Sequence, residues 1–154
     1  MNLPACDLFE GFSESQIERF SELVEEVAAK KNEWLFREGT PADQLYCIKH
    51  GAVELLTRID EHIELPITIL RSEGSYFGTS SLVAPYTYSL SARSFENSSL
   101  MIIKRNRLMD QIKQDPEMGF IIMSNLAKTF LDRLKETRQE VKIHFKTLIK
   151  VMRY

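Results

Sequence analysis

The sequence predicts an α+β fold that is mainly β: short strands closed into a small barrel or roll, with short helices beside it and one long helix after it. Three observations carry this. Hydrophobic residues fall at helical spacing near the start, alternate with a period close to two through the middle, and return to helical spacing through a proline-free end. The 154 residues correspond to one domain, which excludes a multidomain enzyme. We divide it into 1–114, the roll with its short helices, and 115–154, a long helix belonging to the same unit.

In the first section, Ser13 with Gln16 three residues later forms a capping-box pattern, and Ile17, Phe20, Leu23 and Val24 fall on one face, so a helix is expected over 13 to about 23. From Val27 to about Lys104 turn formers multiply: Glu38-Gly39, His50-Gly51, Asp60-Glu61, Glu73-Gly74 and Phe77-Gly78. The strand candidates between them are Leu45–Ile48, Ala52–Leu56, Leu65–Leu70, Leu90–Phe95 and Leu100–Ile103. Asn106 is placed to cap a short helix ending near Gln114. Asp115-Pro116-Glu117 then supplies an N-cap, a proline at the first helical position and an acid in the first turn. After Gly119 the chain has neither glycine nor proline. A helix from Pro116 to Tyr154 spans close to 60 Å at about 1.5 Å per residue, longer than the roll is wide.

That helix carries a stripe. Met123, Ala127, Phe130, Leu134, Thr137, Val141, His144, Leu148 and Val151 are spaced alternately by four and three, the seam of a left-handed coiled coil. Up to about Phe130 the stripe can equally pack on its own roll; beyond it the roll cannot reach, and self-association to a homodimer is the expectation. Parallel pairing brings Arg133 of one copy near Arg138 of the other, and Thr137 and His144 are weak seam residues. Such polar positions fix register at a cost in stability. Lys142, Lys146, Lys150 and Arg153 are expected to compensate the negative end of the helix dipole on an outer face, the alternative being a grip on nucleic acid.

Composition narrows the function. With 20 basic against 22 acidic residues and 44% hydrophobic residues, neither a disordered tail nor a general polyanion binder fits. Cys6 and Cys47 are too few for a disulfide framework and lack zinc-ligand spacing, so a reducing compartment is expected. No run approaches the roughly 18 consecutive apolar residues of a membrane span. We expect a cytoplasmic protein without membrane contact. There is no phosphate loop ending in Gly-Lys-Ser/Thr and no Gly-x-Ser-x-Gly elbow, and the serine pairs Ser80-Ser81 and Ser98-Ser99 have no nearby histidine. His50 precedes a turn glycine, His62 sits at a hairpin tip and His144 falls on the seam, so no catalysis and no metal site are expected. An iron–sulfur cluster needs four thiolates, which excludes one within this chain; a haem would have only His62 or Cys47 to bind.

Trp34-Leu35-Phe36-Arg37-Glu38-Gly39, followed by Leu45 through Val53 with Gly51 at its turn, Gly74-Ser75-Tyr76-Phe77-Gly78, and Asp115-Pro116-Glu117 form a specific framework. It resembles the cyclic nucleotide-binding domain of the catabolite activator protein and fumarate-nitrate regulator superfamily. The resemblance covers nearly the whole chain and implies a double-stranded β-helix, a jelly-roll-like β-roll with flanking short helices and a C-terminal dimerisation helix. It makes Trp34–Gly39 and Leu45–Val53 paired strands, and Gly74–Gly78 the entry to a phosphate-binding cassette whose backbone N–H groups meet a cyclic phosphate.

The resemblance also implies two side chains in the cassette: a glutamate right after the Phe-Gly pair for the ribose 2′-hydroxyl, and an arginine about ten residues later for the phosphate. Those positions are Thr79 and Tyr88 here. A charge-assisted hydrogen bond contributes roughly 1.5–3 kcal/mol, so losing both weakens a cyclic nucleotide by a factor on the order of 10² to 10⁴. Arg93, five residues beyond Tyr88, points to the opposite face of a regular strand. The Thr-Ser pair with which the family's type member reads adenine aligns to Arg133-Leu134.

The cassette candidates are therefore Phe77, Gly78, Thr79, Ser80, Ser81, Tyr88, Ser89 and Arg133, with Tyr76, Tyr86 and Tyr88 giving the pocket an aromatic rim. The expected effector is a small molecule other than cAMP or cGMP bound in the standard mode; the alternative is a turn that binds nothing. In this family DNA is read by a helix-turn-helix module following the long helix, and the sequence carries no such pattern before Tyr154. We expect a regulatory module that does not bind DNA alone and signals through its dimer helix to a protein partner. The alternative is the effector-binding half of a transcription regulator.

Overall fold

A computed structural model describes residues 6–153. A single 3-10 turn, Asp7–Phe9, precedes helix α1, Glu14–Ser21. The strands follow as β1 Val24–Ala29, β2 Trp34–Phe36, β3 Gln44–His50, β4 Val53–Arg58, β5 Glu64–Leu70, β6 Tyr76–Phe77, β7 Ser91–Ser94 and β8 Ser98–Lys104. Helices α2, Arg105–Gln114, and α3, Pro116–Met152, complete the chain; Tyr154 lies outside the described residues. The strands form two four-stranded sheets in the orders β1-β8-β3-β6 and β2-β7-β4-β5, with every pairing antiparallel. This is the β-roll with flanking helices that the sequence led us to expect.

Alternation along β3 and β8 generates three layers. Tyr46, Ile48 and Leu100 point between the sheets, joining Val53, Leu55, Phe77 and Ala92 in one core. Leu45, Cys47, Met101 and Ile103 point the other way, where they meet Leu8, Phe12, Phe20, Leu108, Met118, Ile122 and Leu126 in a second core under the helices. Strands buried on both faces read as continuous apolar runs, here Leu45–Ile48 in β3 and Leu100–Ile103 in β8. Gly51 sits where the chain leaves one sheet for the other, at φ 107°, and a Cβ there would lie 2.2 Å from Ser98 Oγ. That serine instead accepts the Ala52 N–H at 3.1 Å, so the crossing admits no side chain at Gly51.

Several elements differ from expectation. The capping box at Ser13 and Gln16 is present, but α1 ends at Ser21, and Ile17 is exposed. Val24 opens β1, a strand absent from the sequence reading. Glu25, Glu26, Ala28 and Ala29 have poor strand propensity, and the extended form comes from antiparallel pairing with β8 from Val24↔Ile103 to Ala29↔Ser98. β2 and β3 do not pair with each other: β2 pairs with β7 and β3 with β6 and β8, because Gly39 and the following loop carry the chain across to the other sheet. Asn106 is not a cap, since β8 runs directly into α2 and Lys104 occupies the cap position without a side-chain hydrogen bond.

Helix α3 begins as the sequence indicates. Asp115 caps it by accepting the Met118 N–H at 3.3 Å, with Pro116 at the first position. The same carboxylate accepts from Gln16 at 3.1 Å and pairs with Arg19 at 2.8 Å, so α1 and α3 share one anchor. These partners, the Gln16 amide first, hold the Asp115 carboxyl below its ordinary value. Only Met118, Gly119, Ile122 and Leu126 of α3 are buried. Met123 and Ala127 are exposed, so the expected seam is not the face that packs on the roll. Past Arg133 every described residue of the helix is exposed, including Leu134 at 53%, Val141 at 47%, Leu148 at 55% and Val151 at 69%. Among the described residues no helix is long and apolar enough to cross a membrane.

Candidate functional site

The site starts at β6. Its register on β3, Tyr46↔Phe77 and Cys47↔Tyr76, sends Phe77 between the sheets and Tyr76 toward the helices. Gly78 follows in the left-handed region at φ 78°, and a Cβ on it would press on the Tyr46 ring at 3.1 Å and the Gln44 carbonyl at 3.2 Å. Glycine is what lets the chain turn there while hugging β3. A single 3-10 turn, Thr79–Leu82, comes next. Ser81 holds it closed, donating Oγ–H to the Gly78 carbonyl at 2.7 Å. Ser81 is fully buried in that role and does not line the cavity, contrary to its place among the candidates.

The chain returns past Tyr86 to Tyr88, tied by the Ala42 N–H to the Tyr86 carbonyl at 2.7 Å and the Tyr88 N–H to the Thr40 carbonyl at 2.9 Å. The Tyr88 ring stacks on Phe36 with centroids 3.7 Å apart and planes 10° from parallel. Its hydroxyl donates to the Gln44 carbonyl at 2.8 Å, and burial pushes the phenol well above its ordinary value. Tyr88 therefore builds wall and offers no cation at the position where the resemblance places one. Arg93 does not replace it. On the outer face of its sheet it lies 3.3 Å from the buried Glu54 carboxylate and 5.0 Å from the Trp34 ring.

Turn and return strand enclose a cavity of about 250 Å³. Phe36, Leu55, Phe77, Val83 and Leu90 supply its apolar wall, and Gly78, Thr79, Ser80, Tyr88 and Ser89 its floor and one rim. The Ser80 and Ser89 hydroxyls face each other at 3.4 Å. Helix α3 closes the mouth with Phe130 and Arg133. Seven of the eight cassette candidates thus surround one space, Ser81 being the exception. The expected aromatic rim is corrected: Tyr76 is buried in the helical core, Tyr86 stacks under the Arg105 guanidinium at 3.7 Å, and only Tyr88 of the three lines the cavity. Strand alternation separates Tyr76 from Phe77, which the spacing alone did not reveal. Leu55, Phe36 and Phe130 were absent from the candidate set; the inward alternation of β4 is the signal that could have found Leu55.

Electrostatically the cavity has one sign. Arg133 is the one charged residue of its lining; it is half-buried and, among the described residues, takes part in no ion pair or side-chain hydrogen bond. An incompletely hydrated cation without a counter-charge favours an anion. The roll and α3 are also joined beside the cavity. Tyr76 donates its hydroxyl to Thr129 Oγ1, Thr129 in turn donates to the Asn125 carbonyl at 3.1 Å, and Asn125 donates to the Leu8 and Glu10 carbonyls at 2.9 Å each. Strand β6, helix α3 and the N-terminal turn are linked through these bonds.

The architecture is thus a two-sheet antiparallel β-roll with this cavity lying between its turn and the helix that follows. The chain belongs to the cyclic nucleotide-binding domain family, whose profile matches residues 26–115. It is 26% identical over 129 residues to the anaerobic regulatory protein of Bacillus subtilis, covering 81% of this chain and 54% of that one. It is likewise 26% identical over 139 residues to a CRP-like cAMP-activated global transcriptional regulator of Mycobacterium tuberculosis, covering 90% of this chain and 60% of that one. The chain therefore spans little more than half the length of these curated relatives. The catabolite activator protein of Thermus thermophilus superposes with a TM-score of 0.73 at 23% identity, over 89% of this chain and 62% of that one, which establishes the fold.

Proposed function

We propose that this chain is a non-catalytic, ligand-sensing regulatory module that works as a homodimer in the cytoplasm, takes a small anionic effector in the cavity, and passes its state through α3 to a protein partner. The observation that carries this reading is Arg133: the cavity's one cation stands on the helix, while the hydroxyls facing it stand on the roll. A ligand held by both has different affinity for different placements of α3, which is the condition for shifting their populations. The exposed seam from Leu134 to Val151 is where a second copy docks. DNA contact by this chain alone forms no part of the reading.

Isothermal titration with cAMP, cGMP and a panel of small carboxylates and phosphates tests it. Neither cyclic nucleotide is expected to bind at micromolar concentration, and an anion that binds is expected to lose roughly 10- to 150-fold in Arg133→Ala, the worth of one charge-assisted hydrogen bond. Micromolar binding of either nucleotide would overturn the weight placed on Thr79 and Tyr88. A second reading is favoured by the two regulators among the relatives: the chain is the effector-binding half of a catabolite activator-like transcription regulator. A helix-turn-helix pattern in the reading frame beyond the Tyr154 codon would favour it.

A further inference from the structure

The chain's two cysteines are 41 positions apart in sequence and meet in the folded protein. Cys47, on β3, is fully buried, and Cys6, which caps the first 3-10 turn, packs half-buried against the same core. Main-chain hydrogen bonds fix that approach. Asp7 donates its N–H to the Gly74 carbonyl at 3.0 Å, Gly74 donates to Ile48 at 2.9 Å, and Ile48 donates to Ser75 at 2.8 Å, so the residue after Cys6 is tied to the loop that pairs with the residue after Cys47. The neighbouring Cys6 side chain, and burial after it, push the Cys47 thiol far above its ordinary value. A lone buried cysteine is an apolar filler, but a half-buried cysteine packed beside a buried one has an entry point and a resolving partner.

We propose that Cys6 and Cys47 form a reversible redox site, oxidised by hydroperoxides to an intramolecular disulfide that staples the N-terminal turn to the roll. Cys6, the sulfur open to solvent, attacks the peroxide as its thiolate: an S–O bond forms, the O–O bond breaks, and the departing hydroxide takes a proton to leave as water. The Cys47 sulfur then attacks the sulfenic sulfur of Cys6. An S–S bond forms, the S–O bond breaks, and the hydroxide leaves with the Cys47 proton as a second water. Two thiols lose two electrons in all, and one hydrogen peroxide becomes two waters.

The position gives the bond a consequence. The stapled turn carries the Leu8 and Glu10 carbonyls that hold Asn125 of α3, and Cys47 is the register partner of Tyr76, which donates to Thr129 of the same helix. Oxidation closes a covalent ring over residues 6–47 and so fixes the turn whose carbonyls hold Asn125 of α3; the reduced protein has the looser joint and the oxidised one the tighter.

The test is intact-mass and peptide mass spectrometry of the full chain after a few equivalents of hydrogen peroxide, without reductant. We expect a monomer mass lower by two hydrogens, a peptide crosslink between Cys6 and Cys47, and reversal by dithiothreitol. We also expect a melting temperature raised by roughly 10 °C, because the crosslink shortens the unfolded chain's free loop. In Cys47→Ala, peroxide should instead leave a sulfenic acid at Cys6 that dimedone traps; Cys6→Ser, a half-buried change that spares the core, should abolish both products. Unchanged mass in the wild type, or a disulfide between two copies on a non-reducing gel, overturns the proposal. None of these readouts depends on a ligand in the cavity.

Discussion

Replacing Leu148 by alanine is expected to weaken self-association sharply while leaving the roll intact. Complete burial of a leucine side chain is worth about 1.5–3 kcal/mol. In a single copy Leu148 keeps 55% of its surface exposed and touches no part of the roll core, so what remains to be buried by a partner is worth about 1–1.5 kcal/mol. A two-fold pair carries the residue twice, giving about 2–3 kcal/mol, or a Kd raised roughly 30- to 140-fold. Sedimentation equilibrium across a concentration series measures this directly. Lys142→Ala, one position off the seam, is the control and should change Kd by less than about threefold, since an exposed lysine contributes little. A wild type that sediments as one subunit at tens of micromolar, or a Leu148→Ala variant as tightly paired as the wild type, would refute the reasoning.

Other perturbations address the joints. Ile122→Ala, at a fully buried position where α3 meets the helical core, is expected to cost about 2–5 kcal/mol in urea unfolding. Gly78→Ala forces a Cβ into the left-handed region and against Tyr46 and Gln44, and should cost about 1–2 kcal/mol by the same assay. The Asp115 carboxyl is depressed in the folded state, so its stabilising contribution is present above the ordinary aspartate range and disappears as pH falls through the lowered value. Thermal melts between pH 6 and 2 should accordingly show a steeper acid decline for the wild type than for Asp115→Ala, whose curve starts lower at neutral pH.

What could be read from the sequence follows from how local each signal is. The Ser13 and Gln16 capping box and the Asp115-Pro116 start of α3 are decided within four residues, and both stand as read. The apolar runs of β3 and β8 are visible because burial on two faces demands them. β1 is different: a Val-Glu-Glu-Val-Ala-Ala segment has no strand signature, and only its hydrogen bonds to β8 make it one. The site was legible in part for a similar reason. Gly78 and the hydroxyls after it announce a turn that approaches another backbone closely. That Tyr88 would spend its hydroxyl on Gln44, that Tyr76 would face the helices, and that Cys6 would come to rest beside Cys47 depends on contacts between distant segments, which no spacing records.

The bare outer length of α3 has a practical meaning for anyone handling the protein. Beyond Arg133 a solitary copy has only its own main-chain ladder to resist opening, and an unsupported helix of some twenty residues frays readily. Amide deuteration and trypsin cleavage at Lys142 or Lys146 should therefore be fast in dilute samples and slow once concentration brings copies together. This stretch can serve as an internal gauge of assembly, readable without any label.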